Sequence, residues 1–259
     1  MIVLLSPAKT LDFSPVGADD LPAVTQPRLL EQTAQLAAVL RKKSPRRLAE
    51  LMSISAGLAE QNAERFRRFD TPEGLAAAKP ALLAFKGDVY RGLEADDFDP
   101  GDLAYAQDHV RILSGMYGVL RPLDLMQPYR LEMGTALKVR RKKNLYEFWG
   151  ERIAAVLRDD IAATGAEFVL NAASKEYTNS LDLAALGVPV VDADFRERRG
   201  GALKFITYNA KVARGKLAQL VVRERIATRA GLTDLDVHGY AYDEERSTDA
   251  TLAFTKECG

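Results

Sequence analysis

LLSPAKTLDF, residues 4–13, starts as an apolar run and passes directly into Ser-Pro-Ala-Lys-Thr. The run reads as a buried strand. A lysine just past the carboxyl end of a strand stands where ligands gather on open α/β sheets. Lys9-Thr10 is also similar to the tail of a phosphate-binding loop. Such a loop needs glycines, because backbone N–H groups must wrap the phosphate. Ser6-Pro7-Ala8 cannot make that wrap, since proline has no N–H and a fixed φ. The sequence therefore disfavours a nucleoside triphosphatase. Lys9 either serves a different anion or is an ordinary exposed lysine.

Outward from this strand, residues 14–27 hold three prolines and two aspartates and read as a long loop. Three helices are expected next. Residues 28–43 place Leu29, Leu30, Thr33, Leu36, Ala37 and Leu40 on one face. Ser44-Pro45 starts a second helix and Ser55 caps a third over 55–69. Residues 94–102, EADDFDPGD, read as a solvated acidic loop whose spacing matches no calcium loop. In the second half, 144–165 reads as one amphipathic helix closed by Gly165, and 167–174 as a buried strand. Residues 188–198 and 202–210 read as strands turning at Gly200-Gly201, 210–231 as a long helix, and 239–255 as an antiparallel pair. Strands and helices intermix without regular βαβ repetition. The expected fold is α/β (mixed α+β), a single domain over 1–259 with a mixed sheet flanked by helices.

The chain has 259 residues, 47% of them apolar, enough for one large core. Its net charge is zero, so any nucleic-acid role must come from local basic patches. The single cysteine, Cys258, excludes a disulfide framework and Cys-rich metal sites; His109 and His238 stand far apart in sequence. No metal site or cofactor is expected. No signal-peptide pattern or membrane-length apolar run is visible, and the expected compartment is the cytoplasm.

Several motifs carry candidate chemistry. In residues 111–135, Val110, Leu113 and Met116 suggest a helix that fails at Gly115 or Gly118. The glycine-flanked SGMYGVLRP is then similar to the hairpin of a helix-hairpin-helix, although Met116-Tyr117 lengthen it; a tight helical turn with glycine caps is the plainer reading. Arg111, Arg121 and Arg130 fall within twenty residues, and arginine forks onto phosphate or carboxylate. The runs RKKSPRR, RFRR, KVRRKK and RERR read mostly as solvated charge. In AKVARGKLA, Lys211 and Arg214 share one face of an expected first helical turn, against the helix dipole. In NAASKEY, Asn171, Ser174 and Glu176 follow an apolar run. They form either a helix cap, with Ser174 as the cap residue, or a cleft with a general base at Glu176.

Taken together, LLSPAKTLDF, LMSIS, FKGDVYRGL, RILSGMYGVLRPLDLMQPYRLEMGT, LYEFWG, NAASKEY and AKVARG resemble, in order, the YaaA family of bacterial peroxide stress proteins. Lys86, Ala172 and Asn209 depart from the family pattern. The resemblance implies an unusual family-specific fold with a positively charged cleft and a helix-hairpin-helix-like element. It further implies double-stranded DNA as partner, and limitation of free iron during peroxide stress. On that reading Lys9, Arg111, Arg121, Arg130, Lys211 and Arg214 contact nucleic acid, and Gly115 and Gly118 let backbone approach phosphate. Ser6, Thr10, Asn171 and Ser174 add polar groups to the cleft. No membrane association and no obligate protein partner are expected. The alternative is an enzyme acting on a small anionic or nucleoside-like substrate, with Glu176 and Asp88 as catalytic candidates beside Lys9, Asn171 and Ser174.

Overall fold

Ile2–Leu5 is the hub of the sheet. All four residues are buried, and the strand pairs in parallel with Val110–Ser114 on one side and Val169–Asn171 on the other. A strand flanked on both sides and covered on both faces calls for an unbroken apolar run, which is what IVLL supplies. The structure, a computed structural model, describes residues 1–15, 21–70 and 72–258. Residues 16–20 of the expected loop lie outside the described residues.

Among the described residues the main sheet has eight strands. Its order runs Ala241–Tyr242, Thr251–Cys258, Val190–Arg199, Val169–Asn171, Ile2–Leu5, Val110–Ser114, Gly118–Leu120, with Ala202–Lys204 pairing beside Val190–Arg199. The four central pairings are parallel, and the three hairpin pairings are antiparallel. The mixed α/β fold with flanking helices is as the sequence predicts. One continuous hydrophobic cluster joins the sheet to the helices. No helix among the described residues is long and apolar enough to cross a membrane.

The three early helices are Leu30–Arg41, Pro45–Met52 and Ala56–Arg68. Ser44 and Ser55 cap the second and third through their side chains, accepting from the amides of Arg47 and Leu58. Thr33, Leu36, Ala37 and Leu40 face the core as expected, whereas Leu30 is exposed.

Four expectations are corrected. The acidic stretch 94–102 is a solvated loop only in part: Ala95, Phe98 and Asp102 are buried, and its end belongs to a helix. Asp99 caps the helix Pro100–His109 by accepting from Asp102 N at 2.7 Å, and buried Asp102 pairs with Arg225 at 2.9 Å. The 144–165 helix breaks at Gly150 into Leu145–Trp149 and Glu151–Thr164. The strand expected over 202–210 ends at Lys204; the long helix begins at Thr207 and stops at Arg223. Lys211 and Arg214 therefore lie beyond its first turn.

The helix-hairpin-helix reading of residues 114–122 also fails. Val110–Ser114 and Gly118–Leu120 are antiparallel strands, with Ile112 opposite Leu120. Short, fully buried apolar runs satisfy either period, so spacing alone could not arbitrate. Ser114 Oγ closes the turn by accepting from the amides of Met116 and Tyr117. Gly115 and Gly118 are buried within this turn and open no path for a phosphate. A Cβ on Gly115 would collide with the Leu131 carbonyl oxygen. Gly118 has φ +72°, and a Cβ there would stand 2.9 Å from Leu29 and Trp149 side-chain carbons.

A second pair of glycines shapes the site. A Cβ on Gly215, in the long helix, would collide with the Val89 carbonyl oxygen in the helix Asp88–Leu93; a Cβ on Gly92 would collide with the Val212 carbonyl oxygen. The two helices thus meet backbone to backbone.

Candidate functional site

The carboxyl ends of Ile2–Leu5 and Val169–Asn171 open into a cavity of about 530 Å³. Five segments wall it. Ser6–Thr10 leaves the first strand, and Lys86–Tyr90 enters the helix Asp88–Leu93. Tyr129–Glu132 crosses the floor, Ala172–Tyr177 follows the strand Val169–Asn171, and Phe205–Arg214 brings in the long helix. The site thus occupies the strand ends where open α/β sheets place ligands.

Ser6 is fixed on three sides. Its Oγ accepts from Ser174 N at 2.9 Å and lies 3.3 Å from Ser174 Oγ, while its carbonyl accepts from Tyr90 OH at 3.1 Å. Ser174 occupies the N-cap position of the short helix Lys175–Thr178, but its side chain makes no cap bond and turns to Ser6 instead. Asn171 does not line the cavity. It donates to Asp192 at 2.6 Å and accepts from Ala173 N at 3.0 Å, holding the turn after the strand. Thr10 lines the mouth and pairs with Lys86 in a short antiparallel ladder.

Lys9, Lys86, Arg130, Lys211 and Arg214 bring five cations to the cavity; Asp88, Glu132 and Glu176 bring three carboxylates. Glu132 is shared, at 2.7 Å from Lys9 Nζ and 3.4 Å from Arg130 Nη2. Lys211 stands 3.6 Å from Asp88, and Lys86 donates outward to Asp96 at 2.5 Å. Glu176 Oε1 accepts from Gly134 N at 3.0 Å, which pins its carboxylate against the wall. Arg214 donates to the Ala173 carbonyl at 3.2 Å. The Nε atoms of Arg130 and Arg214 are both buried and have no hydrogen-bond partner among the described residues. A buried donor left unmade is costly, and here two such donors sit in the walls of one concavity. Burial pulls the Arg214 guanidinium below its usual range, partly offset by Asp192 and Asp194.

Tyrosine rings back the cavity. Tyr90, Tyr129 and Tyr177 are buried, and burial raises all three phenols, so they act as neutral hydrogen-bonding walls. Behind the long helix, buried Glu197 accepts from Asn209 at 2.6 Å, Tyr240 at 2.7 Å and Arg199 at 2.7 Å, with Cys258 Sγ at 3.5 Å. Burial alone would raise this carboxyl; the hydrogen bonds outweigh it and bring it down to about 2. Through Asn209 it ties the start of the helix that carries Lys211 and Arg214 to the sheet.

Besides Asn171, Gly115 and Gly118, the structure removes two expected arginines from the site. Arg111 is 3% exposed and belongs to the core: its Nε donates to Asp160 at 2.6 Å, and Arg28 clasps the same carboxylate at 2.6 and 2.7 Å. Arg121 lies outside the cavity lining and is held by Asp124 and the Gln26 carbonyl. Lys9, Arg130, Lys211, Arg214, Ser6, Thr10, Ser174, Glu176 and Asp88 come together in one cavity. Sequence reasoning missed Lys86, Glu132, Phe205 and the tyrosines. Glu132 and Tyr129 lie inside the recognisable 111–135 block, which gave a signal; Phe205 lay in a misread strand and gave none.

Comparison with known proteins adds two findings. A family model described as peroxide stress protein YaaA matches residues 1–246. A UPF0246 protein of Paracidovorax citrulli (strain AAC00-1) is 47% identical over 257 residues, covering 99% of this chain and 99% of its own.

Proposed function

The chain belongs to the peroxide stress protein YaaA family, and from that premise we propose that it serves the peroxide stress response by binding double-stranded DNA at the cationic cleft. One observation supports this reading above others: in a chain of zero net charge, five cations from four separate segments gather around one concavity against three carboxylates. Lys9 and Lys211 are the most accessible, with side chains 62% and 50% exposed, and would meet backbone phosphates at the mouth. Arg130 and Arg214 stand deeper. Contacts of this kind position nucleic acid without reading its sequence. Any limitation of free iron is then indirect, because two histidines and one cysteine leave mainly carboxylates as ligands.

Duplex affinity measured over a salt series tests the proposal. Five phosphate contacts give a log–log slope of roughly −4 to −5, and Lys9→Gln with Lys211→Gln lowers its magnitude by about 2. Affinity that stays flat between low and moderate salt overturns it.

The unpartnered Nε atoms favour a second reading, an enzyme for a small anionic or nucleoside-like substrate. A volume of about 530 Å³ suits such a ligand. Glu176→Gln discriminates: under the DNA reading affinity changes little, whereas under the enzyme reading peroxide survival falls although DNA affinity holds. Wild-type behaviour in both assays removes the enzyme reading.

A further inference from the structure

A second cavity, of about 280 Å³, opens elsewhere in the fold, and its lining shares no residue with the first. Leu30 and Leu75 line it from two different helices, Leu30–Arg41 and Pro72–Ala76. Both are exposed, at 44% and 52%, and Leu75 is the most exposed large hydrophobic residue among those described. Leu30 extends the apolar face whose Thr33, Leu36, Ala37 and Leu40 reach the core, yet its own side chain ends at this opening. A single exposed leucine needs no explanation. Two at the rim of one concavity offer apolar surface that a ligand could cover.

The interior is aromatic and carries one charge. Phe69 and Tyr117, both buried, line it with ring centres 6.0 Å apart. Among the described residues Asp70 is the only charged group in the lining, and no cation belongs to it. Asp70 sits in left-handed backbone, at φ +61°, a conformation that Asp and Asn tolerate. Its amide donates to Gln127 Oε1 at 2.9 Å, which fixes the residue to the cavity wall. Its carboxylate has no ion-pair or hydrogen-bond partner among the described residues. Arg41 reaches the carbonyls of Phe66 and Phe69, at 3.2 and 2.5 Å, and does not line the cavity. Arg121, bound to the Gln26 carbonyl at 3.3 Å, is already paired with Asp124.

We propose that this cavity is a second binding site, for a small organic cation that sets its ammonium group on Asp70 and its apolar body against Leu30, Leu75 and the two rings. Charge complementarity selects the occupant. Five cations draw anions to the first cavity, whereas a lone carboxylate repels them from this one. A neutral ligand would leave Asp70 unpaired. Aromatic faces attract ammonium groups through the ring quadrupole, so Phe69 and Tyr117 favour the same class. A volume of about 280 Å³ lies just under the range of roughly 300–1,000 Å³ for drug-sized ligands, so the occupant is a single ring or a short chain. The site is independent of both readings of the cationic cavity.

The experiment titrates the full chain with phenethylamine, phenethyl alcohol and hydrocinnamate, which share one apolar body and differ in charge. Binding is followed by the backbone amide NMR shifts of Asp70 and Gln127. The amine is expected to bind about fivefold tighter than the alcohol, from one ion pair at a partly solvated carboxylate together with the ring faces, and the acid weakest of the three. Asp70→Asn, which suits the left-handed backbone as well as aspartate does, brings the amine close to the alcohol. Leu75→Ser weakens amine and alcohol alike, because it removes apolar wall and no charge. An alcohol or acid that binds as tightly as the amine in the wild-type protein overturns the inference. So does an amine that shifts only the amides around Glu132 and Glu176 in the cationic cavity, or the absence of shifts with all three probes.

Discussion

Removing the Asp160 carboxylate, by Asp160→Ala, strands a charge inside the sheet. Arg111 is 3% exposed and keeps only the carbonyls of Gln107 and Val110, at 2.8 and 2.7 Å. Those carbonyls hydrogen-bond the guanidinium without neutralising it. Breaking a buried ion pair from one side costs about 3–5 kcal/mol, because the remaining charge is uncompensated. Arg28 is 28% exposed and can hydrate once released, which places the expected loss near the lower end, about 3 kcal/mol. That is a large share of the ~5–15 kcal/mol of a typical domain. The assay is urea unfolding at neutral pH, followed by circular dichroism and by fluorescence of Trp149, whose side chain is fully buried. Arg111→Met is the companion. It deletes the charge, fills the space and leaves Asp160 bound to Arg28, so it is expected to cost less than half as much as Asp160→Ala. Its duplex salt slope is expected to match wild type, because Arg111 does not line the cavity. A loss under ~1 kcal/mol for Asp160→Ala would refute the buried-charge argument. A flattened salt slope for Arg111→Met would return Arg111 to the binding surface.

Glu132→Gln removes the carboxylate shared by Lys9 and Arg130, and is expected to tighten duplex binding by about 1 kcal/mol, several-fold at low salt; unchanged or weaker binding would count against the phosphate reading. Gly215→Ala drives a methyl into the Val89 carbonyl, so a cost of ~1–3 kcal/mol and a Tm several degrees lower are expected by calorimetry, and an unaltered Tm would show that the helices can part. Glu197 is held at about 2 against the usual 4.5, so its stabilisation is complete above pH 4.5 and disappears as pH falls through the folded value. At ~1.4 kcal/mol per pH unit this amounts to about 3 kcal/mol. Urea midpoints taken at ~pH 6 and ~pH 3 should differ by less in Glu197→Gln than in wild type, and equal differences would remove Glu197 as the source.

The sheet was legible where composition and packing agree. IVLL, flanked by neighbours on both sides, reads as a buried strand from its apolar continuity alone, and Ser44-Pro45 announces its helix through capping chemistry. The turn Ser114–Gly118 was not legible as a hairpin, because five fully buried residues carry no alternation that would separate strand from helix. Gly150 hid a helix break inside an amphipathic pattern that runs through it on both sides. In the site, Lys9, Arg130, Lys211 and Arg214 could be nominated from their blocks, but only the fold brings them to one cavity. Arg111 looked equivalent to Arg130 in sequence. What separates them is Asp160, 49 residues away, which draws Arg111 into the core. Phe205 was unreadable because the strand assigned to it ends at Lys204.

The contact between Gly92 and Gly215 has a mechanical corollary. Most walls of a binding pocket rest on side chains, which can change rotamer and let the opening breathe. Here one wall rests on peptide groups pressed directly together, and no rotamer exists to absorb a displacement. The gap spanned by Asp88 and Lys211 is therefore set before any ligand arrives. Association should proceed as docking into a standing shape, with little ordering entropy to surrender at that wall.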